Sequence, residues 1–184
     1  MFSRLFAGDR PDAAATALYA RVVEAARAPA LYRDMGVPDT VAGRFEMVAL
    51  HLVLVLERMR VAGEAASATG QGLFDAFCAD MDRSMRELGV GDLGMGRRMR
   101  TMAESFYGRA AAYAPHLSAG DAAGLAGALR RNLPAAEPAP ATERLARYGL
   151  AVAAALARTP TEDVLAGEIA FPDPARRTEA RAAS

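Results

Sequence analysis

Residues 41–59 constrain the fold most strongly, because apolar side chains recur there at steps of three and four positions. The repeat consists of Val41, Phe45, Val48, Leu52, Val55 and Met59. This spacing places the side chains on one face of an α-helix. Leu50, Val53 and Leu54 add apolar side chains on the other faces. A helix that is apolar nearly all round must be enclosed by other elements, so we predict that it lies at the centre of a bundle.

Helical periodicity recurs along the rest of the chain, whereas the alternation typical of strands hardly appears. The predicted fold class is all-α, a single-domain compact helical bundle of about seven helices spanning residues 11–171. We expect helices over residues 11–28, 31–35, 40–62, 64–88, 95–114, 118–133 and 142–158, followed by a short helical turn capped by Thr161. Residues 1–10 are expected to form a flexible N-terminal segment, and residues 172–184 a disordered tail.

Individual residues set several expected boundaries. Pro29 is expected to stop the first helix, and the fifth helix should end before Pro115. The inner stripe of the helix over residues 64–88 is expected to run through Leu73 and Phe77 to Leu88. A glycine-rich connector over residues 89–96 and a proline- and alanine-rich linker over residues 134–140 are expected to join neighbouring helices.

Composition excludes several classes of protein. All 22 basic residues are arginine and the formal net charge is +0, which removes any global electrostatic case for binding DNA. The single cysteine, Cys78, excludes an intrachain disulfide and a cysteine-cluster metal site. The longest nearly apolar run covers residues 47–56, far short of the roughly 20 residues that span a bilayer. The N-terminus lacks the apolar stretch and cleavage site of a secretory signal.

No catalytic, cofactor or metal site is expected. Asp75, Asp80 and Asp82 lie on one predicted helix, but no histidine stands at ligand spacing from them. His51 lies within the apolar helix, where a hydrogen-bonded core histidine is the default interpretation. The glycine-rich connector precedes arginines at a helix start, so a small-molecule enzyme with an anion site between Gly91 and Arg98 stays open as a remote alternative.

A basic cluster is the best candidate for a partner-binding surface. Arg97, Arg98 and Arg100 fall in the first turns of the fifth helix, and Arg109 follows on the same helix. We hypothesise that these four side chains form an exposed patch that meets a client protein, ribosomal RNA or anionic lipid headgroups. At the N-terminus, Phe2, Leu5 and Phe6 with Arg4 would present an amphipathic turn to the same kind of membrane surface.

Residues 31–113 carry a family resemblance, in order and with compatible spacing. The opening block is VPDTVAGRFE at residues 37–46 and HLVLVLER at residues 51–58. The second block consists of LFD at 73–75, DMDRSMRE at 80–87, GVGD at 89–92, GRR at 96–98 and FYGR at 106–109. Together these segments resemble the ubiquinol–cytochrome c chaperone family. Arg97 and Arg98 stand where the family pattern has a Lys-Arg pair, a change that conserves charge.

The resemblance implies an all-α assembly factor, without enzymatic activity or cofactor, for the respiratory ubiquinol–cytochrome c reductase. Mitochondrial members act on newly made cytochrome b, together with the ribosome and a small partner protein. The lack of a long presequence implies the compact bacterial form, cytoplasmic and peripheral on the inner face of the cytoplasmic membrane. The expected partner-binding residues are Asp80, Asp82, Phe106 and Tyr107 of the matched segments together with the basic cluster of Arg97, Arg98, Arg100 and Arg109. A structural or scaffolding protein-interaction domain is the alternative.

Overall fold

The computed structural model describes residues 13–133 and 140–175, which form an all-α bundle in one compact domain. Its α-helices are α1 (Ala13–Ala26), α2 (Pro29–Arg33), α3 (Val41–Ala62), α4 (Ser67–Glu87), α5 (Asp92–Ala119), α6 (Ala122–Asn132), α7 (Pro140–Arg158) and α8 (Thr161–Ala166). A 3-10 turn, Gly63–Ala66, joins α3 to α4. The predicted fold class is therefore confirmed. The expected segment 1–10, most of the expected linker and residues 176–184 of the expected tail lie outside the described residues.

Helix α3 is the central element, as its all-round apolar pattern predicts. It packs against α1, α4, α5 and α7. Seven of its apolar side chains between positions 47 and 55 are buried: Met47, Ala49, Leu50, Leu52, Val53, Leu54 and Val55. Its first turn is capped by Thr40, whose Oγ1 accepts a hydrogen bond of 3.1 Å from the Gly43 N–H.

Arg58 ties the far end of α3 to the C-terminal part of the chain. Its guanidinium donates to the carbonyl oxygens of Leu156 and Thr159, each at 2.9 Å. A third bond of 2.9 Å reaches Oγ1 of Thr161. Because the last carbonyls of a helix have no intrahelical partners, this arginine satisfies the end of α7 and positions the start of α8.

Only one of the two proline boundaries differs from the sequence expectation, since α1 ends at Ala26, before Pro29. Pro29 begins α2, since a proline at the first helical position loses no hydrogen bond. Pro115 lies inside α5, which continues to Ala119. The extra turn brings the partly buried Leu117 against the core, and this contact favours continuation of the helix despite the hydrogen bond that the proline lacks. Gly120 then ends α5 with a φ of 66°.

The connection between α4 and α5 is shorter than expected. Helix α5 begins at Asp92, so Gly94 and Gly96 belong to the helix. Only Gly89 in this connection has a positive φ, 84°. No helix of the described residues is long and apolar enough to cross a membrane.

Two glycine substitutions at this connection should have opposite effects on stability. Gly89→Ala should lower the free energy of unfolding by about 1 kcal/mol, because an L-residue is strained at positive φ. Gly94→Ala should raise it by about 0.5–1 kcal/mol, because alanine favours a helix interior and a Cβ there meets no atom within 4 Å. Urea denaturation of both variants measures the difference. Equal effects of the two changes would contradict the assigned start of α5.

Candidate partner-binding surface

An aromatic cluster fixes α5 against α4. Phe106 of α5 lies 5.4 Å from Phe74 and 5.3 Å from Phe77, measured between ring centroids. Phe106 is 1% exposed, so this expected partner contact is a core residue. Tyr107 also packs on Phe74, at 5.4 Å, but 56% of its surface is exposed. Of the two neighbouring aromatics, Tyr107 is the one that a partner can reach.

Five exposed side chains line the outer face of α5: Leu93, Arg97, Arg100, Glu104 and Tyr107. Steps of four and three residues bring successive members about one helical turn apart on the same face. We call this set the α5 stripe. Arg97, Arg98 and Arg100 are exposed, and within residues 13–133 and 140–175 none of them forms an ion pair. Their positive charges are therefore available to a partner.

The α4–α5 tip is defined here as residues 88–94 with Arg98, which line one shallow, open depression of about 550 Å³. Leu88 is 71% exposed and Leu93 is fully exposed. The expectation that Leu88 belongs to the inner stripe is wrong, because α4 ends at Glu87 and the chain turns away from the core there. The tip thus combines exposed aliphatic side chains with a guanidinium.

The expected acidic contacts are engaged within the protein. Asp80 accepts a hydrogen bond of 2.8 Å from the hydroxyl of Tyr19 and pairs with Arg83. Burial and the neighbouring Asp80 raise the pKa of Tyr19. Asp82 pairs with Arg86 at 2.7 Å, and the same guanidinium reaches Asp92 at 2.6 Å. Asp80 therefore joins α4 to α1, while Asp82 belongs to a chain of charges that joins α4 to α5.

Arg109 corrects the expected patch, because it points into the bundle. Its Nε lies 2.5 Å from Oε2 of Glu46, and the two side chains are 15% and 0% exposed. The hydroxyl of Tyr113 donates to the other oxygen of Glu46, and the guanidinium lies 5.2 Å above the ring of Phe45. A charge can stay buried in this way only when it is paired and hydrogen-bonded. Sequence reasoning missed the pair, although a glutamate within the apolar α3 was the signal.

His51 is a buried, hydrogen-bonded core histidine, as expected. Its Nδ1 lies 2.7 Å from the carbonyl oxygen of Met47, which can only accept, so Nδ1 carries the hydrogen. Nε2 therefore accepts from the hydroxyl of Tyr148, 2.9 Å away. The ring also meets Phe171 edge-on at 5.3 Å. Burial lowers the pKa of His51 to about 4, so the ring is neutral at pH 7.

Metal binding, thiol reactivity and anion binding are the other kinds of chemistry to consider in the described chain. In the described ranges, no three side chains among His, Cys, Asp and Glu are grouped in a way that could hold a metal ion. Burial, with a smaller effect of Asp75, raises the pKa of Cys78 to about 11, which keeps its thiol protonated at neutral pH. Of the segment from Gly91 to Arg98 considered as an anion site, residues 91–94 and Arg98 border the open depression of the tip. This geometry suits contact with a surface better than enclosure of a small substrate.

Comparison with known proteins identifies the family. A solved structure described as the Cbp3 homolog from Brucella abortus is similar to this chain, with 40% sequence identity and a TM-score of 0.82. The match covers 90% of this chain and 92% of the other. No curated protein matched the sequence. The sequence profile described as ubiquinol-cytochrome C chaperone matches residues 33–171. The chain therefore belongs to the ubiquinol–cytochrome c chaperone family.

Proposed function

We propose that this protein is an assembly chaperone for the respiratory ubiquinol–cytochrome c reductase and that it binds newly made cytochrome b. The observation that supports this most is the family match over residues 33–171, which takes in α3 to α8 together with the α5 stripe. Such a chaperone works by binding and needs no catalytic residues. The protein would act as a peripheral protein on the cytoplasmic face of the membrane, where its client is inserted.

The second half of the α5 stripe, Arg100, Glu104 and Tyr107, supplies the chemistry that this role needs. A newly made membrane protein exposes apolar helices flanked by polar loops. Tyr107 offers an amphipathic ring, the kind of side chain that dominates many protein interfaces. Arg100 lies seven positions earlier, about two turns along the same face, and its charge has no partner in the described chain. We infer that this half of the stripe contacts the client.

Deletion of the gene tests the proposed function directly. Cells without the protein should lose assembled cytochrome b, measured by haem spectra and native gels, while other respiratory complexes persist. The wild-type gene should restore the complex. Unchanged cytochrome b in the deletion strain would refute the assembly role and leave the alternative of a scaffolding domain for another protein.

Substitution of the stripe tests the proposed contact. The double variant Arg100→Ala with Tyr107→Ala should capture at least about tenfold less cytochrome b by photo-crosslinking, given the weight of arginine and tyrosine in interfaces. Its free energy of unfolding should fall by about 1 kcal/mol at most, since both side chains are exposed. Arg21→Ala on α1, where the arginine is 57% exposed, is the matched control and should capture normally. Full capture by the double variant would move the contact elsewhere.

A further inference from the structure

The α4–α5 tip exposes aliphatic surface that no described part of the chain covers. Leu88 is 71% exposed, Leu93 is fully exposed, and Val90 lines the same depression between them. Among the described residues, the other strongly exposed aliphatic side chains are Val41 at 74% and Val61 at 73%, which stand at the two ends of α3. Adjacent apolar side chains at one projecting turn indicate a contact surface, whereas isolated ones are normal on a protein surface.

Positive charge lies beside these leucines. Residues 86–100 contain four arginines and two carboxylates, in a chain whose formal net charge is +0. Arg86 already pairs with Asp92, and Glu87 is the remaining carboxylate of this segment. Arg97 follows Leu93 by one helical turn, and Arg98 lines the depression itself. The tip therefore presents aliphatic side chains beside a local excess of positive charge.

We propose that the α4–α5 tip docks on the surface of an anionic lipid bilayer. Leu88 and Leu93 enter the headgroup region, where the transfer of aliphatic side chains from water is favourable. Arg97 and Arg98 meet lipid phosphates, each attraction being weakened by salt. The biological purpose of this docking rests on the proposed function. Docking would hold the chaperone where a membrane client is inserted.

The chemistry of the tip favours a lipid bilayer as its partner over RNA and over an apolar protein helix. RNA rewards arginines and stacking aromatics but gains nothing from exposed leucines. An apolar client helix needs a groove that runs along several turns. The depression at the tip is shallow and is formed mainly by the short connection between two helices. A bilayer is the partner that accepts aliphatic side chains and cations from one projecting turn.

A tryptophan reporter tests the contact at the tip itself. The chain contains no tryptophan, so Leu93→Trp introduces a single fluorophore there. In the full chain, its emission should shift to the blue on adding vesicles of phosphatidylcholine with phosphatidylglycerol, and hardly at all with phosphatidylcholine alone. Val61→Trp is the matched control at another exposed position of the described chain and should not respond. Absence of a shift at position 93, or an equal shift at position 61, would overturn the proposal.

Flotation with the same vesicles separates the apolar contribution of the leucines from the electrostatic contribution of the arginines. The double variant Leu88→Ser with Leu93→Ser should bind anionic vesicles at least about tenfold more weakly than the wild type. The control double variant Val41→Ser with Val61→Ser should bind them as the wild type does. The Arg97→Ser, Arg98→Ser variant should lose most of its salt-dependent binding. If the leucine variant floats like the wild type and only the arginine variant fails, the contact is purely electrostatic and membrane insertion is refuted.

Measuring the capture of cytochrome b distinguishes a failure of lipid docking from a failure of the proposed function. Capture of cytochrome b from detergent extracts contains no bilayer, so the leucine variant should capture normally there. Normal capture with lost flotation supports docking of the tip on lipid. Lost capture with normal flotation would overturn the docking and assign the tip to the client. If cytochrome b assembles in cells that lack the gene, the assembly role is refuted. The vesicle experiments would still decide whether the tip binds lipid.

Discussion

Arg109→Ala should lower the free energy of unfolding by about 3–5 kcal/mol, a large share of the stability of a domain of this size. The variant leaves the fully buried Glu46 without its counter-ion, 2.5 Å away in the wild type. Tyr113 still donates one hydrogen bond to that carboxylate, but a hydroxyl cannot neutralise its charge. Urea denaturation measures the loss.

Two further variants identify the cause of that loss. Arg100→Ala removes an exposed arginine from the same helix and should change stability by no more than about 0.5 kcal/mol. Adding Glu46→Gln to Arg109→Ala removes the stranded charge and should recover part of the stability. If Arg109→Ala is as mild as Arg100→Ala, the ion pair does not hold α5 against α3. In that case, any reduction of client capture by Arg109→Ala could not be attributed to unfolding.

The second large effect concerns pH, and it depends on His51. The folded protein holds the pKa of this imidazole at about 4, below the ordinary value of 6.5. Between these values the unfolded chain binds a proton that the folded protein excludes, so stability falls as the pH is lowered. The stabilisation is fully present above about pH 6.5 and is lost towards pH 4, by an amount on the order of 3 kcal/mol.

His51→Gln provides the comparison. Glutamine can hydrogen-bond within the cavity but does not titrate, so the variant should lose less stability than the wild type between pH 6.5 and 4. Asp39 and Asp121, whose pKa values are lowered mainly by hydrogen bonds from Arg44 and Gly124, weaken both proteins equally on acidification. Denaturation curves at several pH values give the difference. Parallel curves for the two proteins would show that the folded state does not exclude the proton from His51.

Local signals explain what could be predicted of the fold. A helix was expected over residues 118–133, and Asp121 caps the start of α6 there, since its carboxylate accepts a 2.9 Å hydrogen bond from the Gly124 N–H. The apolar surroundings of His51 in the sequence were enough to predict a core histidine. The cap of Asp121 and the contact of His51 Nδ1 with Met47 join residues three and four positions apart, which capping rules and periodicity describe. The second partner of His51, Tyr148, lies 97 positions away and could not be predicted in this way.

The candidate surface was predictable only in part. Arg97, Arg98 and Arg100 lie on the surface as expected, and their role in binding stays a prediction. Arg109 lies on the same helix, yet it turns inward because Glu46, 63 positions away, offers a counter-ion. Exposure of an arginine depends on which helix packs against its face, and helical periodicity does not contain that information.

The sequence by itself determined the all-α architecture, the central place of α3 and the family, because these follow from patterns repeated along the chain. Tertiary structure decided three further features: the buried pair of Glu46 and Arg109, the passage of α5 through Pro115, and the exposure of Leu88. Each of them depends on how the helices pack, which no local pattern records. Glu46 offers Arg109 a counter-ion across the bundle, Leu117 packs against the core in the turn of α5 beyond Pro115, and Leu88 stands past the end of α4, where the described chain leaves it 71% exposed.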